Sequence, residues 1–284
     1  MGILPNGIQH NAVMGSDFAQ LYQSGIDLWH GQYTGLYPLP ACGLFALLAL
    51  LPYPVAFGLL ALVGLALLVA TLRRRALAWV MFQPVLACLW QGQLDLIWFW
   101  LLRNGSPVAL ALMTLKPQLF PLALPALLAD RAKWRPFALA CLALYGPVTL
   151  IRPTWPMEWL RACNDGRLEW YGSTTILWNP LIGFVALMAV AALVRLDWRA
   201  VFWSVNPTVR WYDFTMLAGG SLWLIPLSWV LFGATQGLGG NPGPIAFLGI
   251  ADLLLRRYGK LSHPPISLPK ITESNLETPQ HALY

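Results

Sequence analysis

Five ionisable side chains stand inside or beside long apolar runs of this chain: Asp17, Asp95, Lys116, Arg210 and Asp213. Taking a charge out of water into hydrocarbon is costly, so residues of this kind mark substrate sites, ion pathways or ion pairs. Together with Gln91, Gln93 and Arg152 they can be laid on one side of a bilayer, opposite the arginine-rich turns, and Tyr212 beside Asp213 is a further candidate substrate contact. Carboxylates and cations without metal-ligand spacing suit group transfer, in which one carboxylate takes a proton from a hydroxyl and a cation steadies a departing phosphate. A lipid phosphate fits that placement, because its chain stays in the bilayer while its head reaches the aqueous edge. No metal or other cofactor is expected, since His10, His30, His263 and His281 are isolated from one another.

Each of these residues also has a plainer reading. Asp17 can cap the backbone N–H groups of a helix that starts beside it. Gln91, Gln93 and Asp95 can form an ordinary polar turn, and Lys116 before Pro117 can snorkel to an interface. Arg152 and Arg210 can be solvated or paired, and Tyr212 with Asp213 can cap a helix beginning at Phe214.

The elements that would carry them are helices in a membrane. With 57% hydrophobic and only 11% charged residues, the chain has too little polar surface to cover a water-soluble fold of its size. Runs 55–72 and 214–232 reach the length needed to cross a bilayer, and fifteen tryptophans suit its two interfaces. The net charge of +6 is gathered into clusters: Arg73 to Arg75, Arg131 with Lys133 and Arg135, Arg195 with Arg199. These read as cytoplasmic turns, and a basic, aromatic surface of the kind that binds nucleic acid is absent. Cys42, Cys88 and Cys141 fall in apolar runs, which predicts inert buried thiols.

Along the chain, Phe18, Leu21, Tyr22, Gly25, Ile26 and Trp29 share one helical face. Asp17, Gln20, Gln23, Ser24 and Asp27 share the other, which predicts a short interfacial helix. Run 40–51 is a half-span or a steeply packed helix, 55–72 a full span, and 76–90 a return crossing. Short runs follow at 96–102, 107–115 and 119–128, then a crossing at 137–151. A polar loop over 152–180 holds Trp155, Trp159, Trp170 and Trp178, which read as interfacial anchors. Runs 181–194, 200–205, 214–232 and 245–255 complete the series. The expectation is an all-α, polytopic membrane helix bundle with short and broken helices. Its divisions are a short segment 1–16, a membrane domain 17–258 and a disordered tail 259–284.

In order along the chain stand Asp17, then Gly31-Gln32 and Leu36-Tyr37-Pro38, then Gln91-Gly92-Gln93-Leu94-Asp95. The run ALMTLKPQLFPLALPALL around Lys116 and NPTVRWYDFTML around Tyr212 and Asp213 follow. That succession resembles the polyprenol-phosphate-mannose-dependent mannosyltransferases, glycosyltransferase family 87 of the GT-C superfamily. The resemblance implies a GT-C-type bundle in a bacterial plasma membrane and an inverting, metal-independent hexosyltransferase with its site on the extracytoplasmic side. Its donor would be a polyprenyl-phosphate sugar, mannose in the family, and its acceptor a hydroxyl of an envelope glycolipid or glycan. Asp17 matches the family's early acidic residue, which acts as base. Lys116, with Arg210 or Arg152, is assigned to the donor phosphate by charge and placement alone. The family has a transmembrane helix before that acid, which residues 1–16 cannot supply, so a truncated noncatalytic member is one alternative. A transporter or flippase for a lipid-linked sugar is the other.

Overall fold

The computed structural model describes residues 14–35, 37–164, 211–237, 248–249 and 251–252, and every regular element among them is helical. The helices are α1 (Ser16–Trp29), α2 (Leu39–Leu48), α3 (Tyr53–Leu72), α4 (Ala76–Val80), α5 (Gln83–Gln91) and α6 (Asp95–Asn104). They continue with α7 (Pro107–Met113), α8 (Leu124–Leu128), α9 (Trp134–Ile151), α10 (Trp155–Asn164) and α11 (Leu224–Gly237), with a 3₁₀ helix at Trp211–Leu217. Proline sets many of the starts: Pro40, Pro54, Pro84 and Pro107 occupy the first or second position of α2, α3, α5 and α7. There the missing N–H costs nothing, because those groups have no partner within a helix anyway.

Among the described residues, two helices are long and apolar enough to cross a membrane, Tyr53–Val80 with the turn and α4 included, and Arg131–Ile151. The 20 residues of α3 rise about 30 Å, the thickness of a hydrocarbon core. Its buried positions are Ala56, Leu60, Gly64, Leu68 and Leu72, one row at a spacing of four that packs on α6. Val55, Leu59, Leu62 and Val69 on the remaining faces are exposed. No residue of α9 is buried, and Leu139, Leu142, Leu150 and Ile151 stand out from it.

The bundle has two chemically different ends. Near the start of α3, the Tyr53 hydroxyl donates to the Gly15 carbonyl at 3.0 Å and the Gly15 N–H donates to the Trp90 carbonyl at 2.8 Å. Near the other end of α3, Arg75 donates to Gly220, Arg103 to Ala218 and Lys133 to Gly105, all through backbone carbonyls. The basic turns at Arg73–Arg75 and Arg131–Lys133 therefore lie at the end of α3 away from α1.

Several expected spans come out differently. Run 76–90 is two helices, α4 and α5, because Pro84 at the start of α5 cannot continue a preceding helix. The expected span 214–232 is also broken. Phe214 lies inside the 3₁₀ helix, and α11 begins only at Leu224, after Gly219 with φ +83°, a conformation that ends a helix and favours glycine. The first part of the expected loop 152–180 is the helix α10, and 165–180 lies outside the described residues, as do 181–205 and most of 245–255. On α1, Asp17 and Ser24 are buried with Phe18 and Leu21 instead of facing away from them. Cys42 and Cys88 are buried, but Cys141 is only half-buried, since α9 offers no buried face.

Candidate functional site

Asp17 lies in the first turn of α1, whose N-cap position is Gly15 and carries no side-chain cap. Its carboxylate is used elsewhere: Oδ2 accepts from Gln93 Nε2 at 2.5 Å. The same Gln93 nitrogen donates to the Tyr212 hydroxyl at 3.2 Å. An ionised carboxylate only accepts, so the carboxamide must turn its NH₂ toward Asp17, and its two hydrogens serve the two partners. Three segments, 76 and 119 residues apart along the chain, meet at that nitrogen.

Local structure fixes the Gln93 backbone. α5 ends on Gly92 in the left-handed region, φ +70°, where an added Cβ would lie 2.5 Å from Phe18 Cβ. The Gln93 N–H then donates back to the Cys88 carbonyl at 2.9 Å, and the Cys88 thiol donates to the Gln93 carbonyl at 3.3 Å. Phe18 itself is fully enclosed, with the rings of Tyr53 and Phe57 at 5.2 and 5.6 Å.

Deeper in the bundle Lys116 lies just after α7, where Pro117 prevents the helix from continuing. Its Nζ donates to Asp95 Oδ1 at 2.6 Å and to Asp213 Oδ1 at 2.7 Å. Both carboxylates are wholly buried, and the Lys116 side chain is 10% exposed. The ammonium also lies 5.2 Å from the centroid of the Tyr212 ring, within cation–π range. Depth along α3 can be read from Gly64, whose absent Cβ leaves room for Leu96 beside Asp95. Gly64 is roughly 16 Å along α3 from its start at Tyr53, so the triad is near mid-helix while Asp17 is near the end.

The sequence-predicted residues thus divide. Asp17, Gln93, Tyr212, Lys116, Asp95 and Asp213 form one connected cluster. Asp213 is no helix cap; it lies inside the 3₁₀ helix as half of a buried ion pair, and Tyr212 serves the Gln93 carboxamide. Arg152 stands apart from these contacts. Its guanidinium pairs with Glu158 at 2.7 Å and lies 5.4 Å from the Tyr33 ring centroid, in the loop after α1. Arg152 holds the Glu158 carboxyl below the usual range, helped by the Thr154 hydroxyl. Gln91 is half-buried at the end of α5, and Arg210 lies outside the described residues.

Sequence reasoning passed over Asp252, a carboxylate 3% exposed within the apolar run 245–255. The rule that singled out Asp95 would have found it. It also passed over the Thr114 hydroxyl, which shares a hydrogen bond of 2.7 Å with Tyr145 two residues before Lys116. Comparison of the chain with protein-family models, characterised proteins and solved structures gives no match.

The charge balance decides what the buried triad can do. Two carboxylates and one ammonium leave an excess negative charge when all are ionised, and a phosphate brought to Lys116 would meet Asp95 and Asp213 at contact distance. Where all three are ionised, that charge opposes the expected role of Lys116 as a phosphate ligand.

Proposed function

We propose that the chain is a membrane glycosyltransferase of GT-C type, moving a hexose from a polyprenyl-phosphate sugar to a hydroxyl of an envelope glycolipid or glycan. One observation supports this reading above the others. An early carboxylate, Asp17, sits at the end of the bundle away from the basic turns and is held by Gln93, which is also bonded to Tyr212. That is the placement a base needs in order to meet the head of a lipid whose chain remains in the bilayer.

In the proposed reaction Asp17 takes the proton of the acceptor hydroxyl as that oxygen bonds to the anomeric carbon. The bond from that carbon to the phosphate oxygen breaks, the electron pair leaves with the polyprenyl phosphate, and the configuration inverts. The leaving phosphate needs a cation that can reach the aqueous edge. Arg152, half-exposed beside the loop that follows α1, meets that requirement better than the enclosed Lys116. Arg210 shares the assignment on charge alone.

The test is Asp17→Asn in purified, bilayer-reconstituted protein given a polyprenyl-phosphate hexose. Transfer is expected to fall by about 10²–10⁴-fold, the usual worth of a positioned base, with donor binding intact. Retained turnover would remove Asp17 from the role. A second reading has its own observation: the buried Asp95–Lys116–Asp213 triad near mid-helix is the kind of charge cluster that ion-coupled transporters use. Translocation of a lipid-linked sugar without any glycosylated product would favour it.

A further inference from the structure

We propose that Lys116 is a positioning residue for Asp17: by clamping Asp213 it fixes Tyr212, and Tyr212 and Gln93 together fix the Asp17 carboxylate. The activity part of this inference rests on the reading of Asp17 as the base; the structural part does not.

The 3₁₀ helix at Trp211–Leu217 packs on both α5 and α6. Its polar ties to the site are made by adjacent residues, Asp213 to Lys116 at 2.7 Å and Tyr212 to Gln93 at 3.2 Å. Lys116 also reaches Asp95 at the start of α6, two residues after Gln93, so the ammonium holds both sides of the Gln93–Tyr212 contact. A 3₁₀ helix has poorer hydrogen-bond geometry than an α-helix and relies more on outside contacts to keep its place. Without the ammonium, Asp95 and Asp213 would be two buried carboxylates with no cation between them. The pair could then relieve the repulsion by taking up a proton or by moving apart, and either way Asp213 loses the ammonium that holds the segment carrying Tyr212. Gln93 would keep its backbone bonds to Cys88 but lose the second acceptor that aligns its carboxamide.

Lys116→Met, with Asp213→Asn as a milder second variant should the first fail to fold, tests the clamp in the full chain in nanodiscs. Two readouts are taken. Hydrogen exchange of the amides over 211–217 is expected to quicken at least tenfold in either variant, while exchange across the middle of α3 stays unchanged. Kinetics with a polyprenyl-phosphate hexose are expected to show kcat lowered about tenfold or more, donor KM within threefold of the parent, and a displaced acid limb of the pH–rate profile. Unchanged exchange over 211–217 would overturn the clamp. A tenfold rise in donor KM with kcat kept would overturn it in favour of Lys116 as a phosphate ligand. If the parent protein transfers no sugar, the proposed function fails, and the exchange measurement alone decides the clamp.

Discussion

At the level of single residues, the ionisable groups do different work according to how much water they keep. Lys116, Asp95 and Asp213 have almost none, and a buried ion pair is weak evidence for stability, since desolvation offsets most of the attraction. Removing the Lys116 ammonium is another matter, at about 3–5 kcal/mol, because the carboxylates left behind lose the cation they share. Arg152 and Glu158 keep much of theirs, with side chains 34% and 29% exposed, and pair across the turn that opens α10. Glu158 is held below its ordinary range by Arg152 first and Thr154 second. Its stabilisation of that turn is fully present above the unfolded carboxyl's range and is lost as pH falls through the lowered folded value. Amides of α10, corrected for intrinsic exchange rates, should therefore lose protection only on the acid side of the ordinary Glu range. Glu158→Gln should flatten that dependence, and an unchanged pH profile in the variant would assign it to some other group.

At the level of elements, the tightest joint is the one between α1 and α2. A Cβ added at Gly25 would lie 2.4 Å from the Phe45 carbonyl oxygen, so the two helices touch backbone to side-chain-free backbone. Gly25→Val should force them apart at a cost of about 1–3 kcal/mol or more. Gly58→Ala on α3, where nothing lies within 4 Å, should be neutral or stabilising by up to about 1 kcal/mol. Thermal unfolding midpoints in detergent compare the two, and a Gly25→Val midpoint equal to that of the parent would mean that α1 is not anchored there. Which elements were legible in the sequence follows from the same physics. The proline-bounded run 40–51 and the long run 55–72 were readable, because prolines bound the first and open the second, and the Arg73–Arg75 cluster closes the second with charge. The breaks within 76–90 and 214–232 were hidden by uniformly apolar composition, although Pro84 and the Gly219–Gly220 pair stood there as signals. The helix α10 was missed because charges at Glu158 and Arg161 suggested a loop, while Trp155 and Ala162 in fact bury one face. The site was legible as a set of costly charges in apolar surroundings. Its division into an edge group and a deep triad was not, because pairings 97 and 119 residues apart depend on how the helices pack.

At the level of the whole molecule, α3 buries one narrow row, α9 buries nothing, and the exposed large hydrophobic side chains along them, Trp134 at the start of α9 apart, are aliphatic. In water such faces would be driven together; in hydrocarbon they need no cover. Exposed tryptophans accompany both ends, Trp90 beside Gly15 and Trp134 beside the basic turn at Arg131–Lys133, where indoles would meet headgroups. A bilayer around α3 and α9 would put the loop after α1 and the Arg73–Arg75 turn on opposite aqueous sides, and the proposed function takes the arginine side to be the cytoplasmic one, as the positive-inside rule expects. Cysteines introduced one at a time at the exposed positions Gln32 and Arg74, in a background with Cys141 and Cys163 changed to serine and only the buried Cys42 and Cys88 kept, make that arrangement measurable. In intact cells a membrane-impermeant maleimide should label Gln32→Cys and spare Arg74→Cys, with the pattern reversed in inside-out vesicles. Labelling of both cysteines from the same side would place Asp17 and the basic turns in one compartment. The extracytoplasmic lipid-phosphate site would then fall, whatever the fate of the buried clamp.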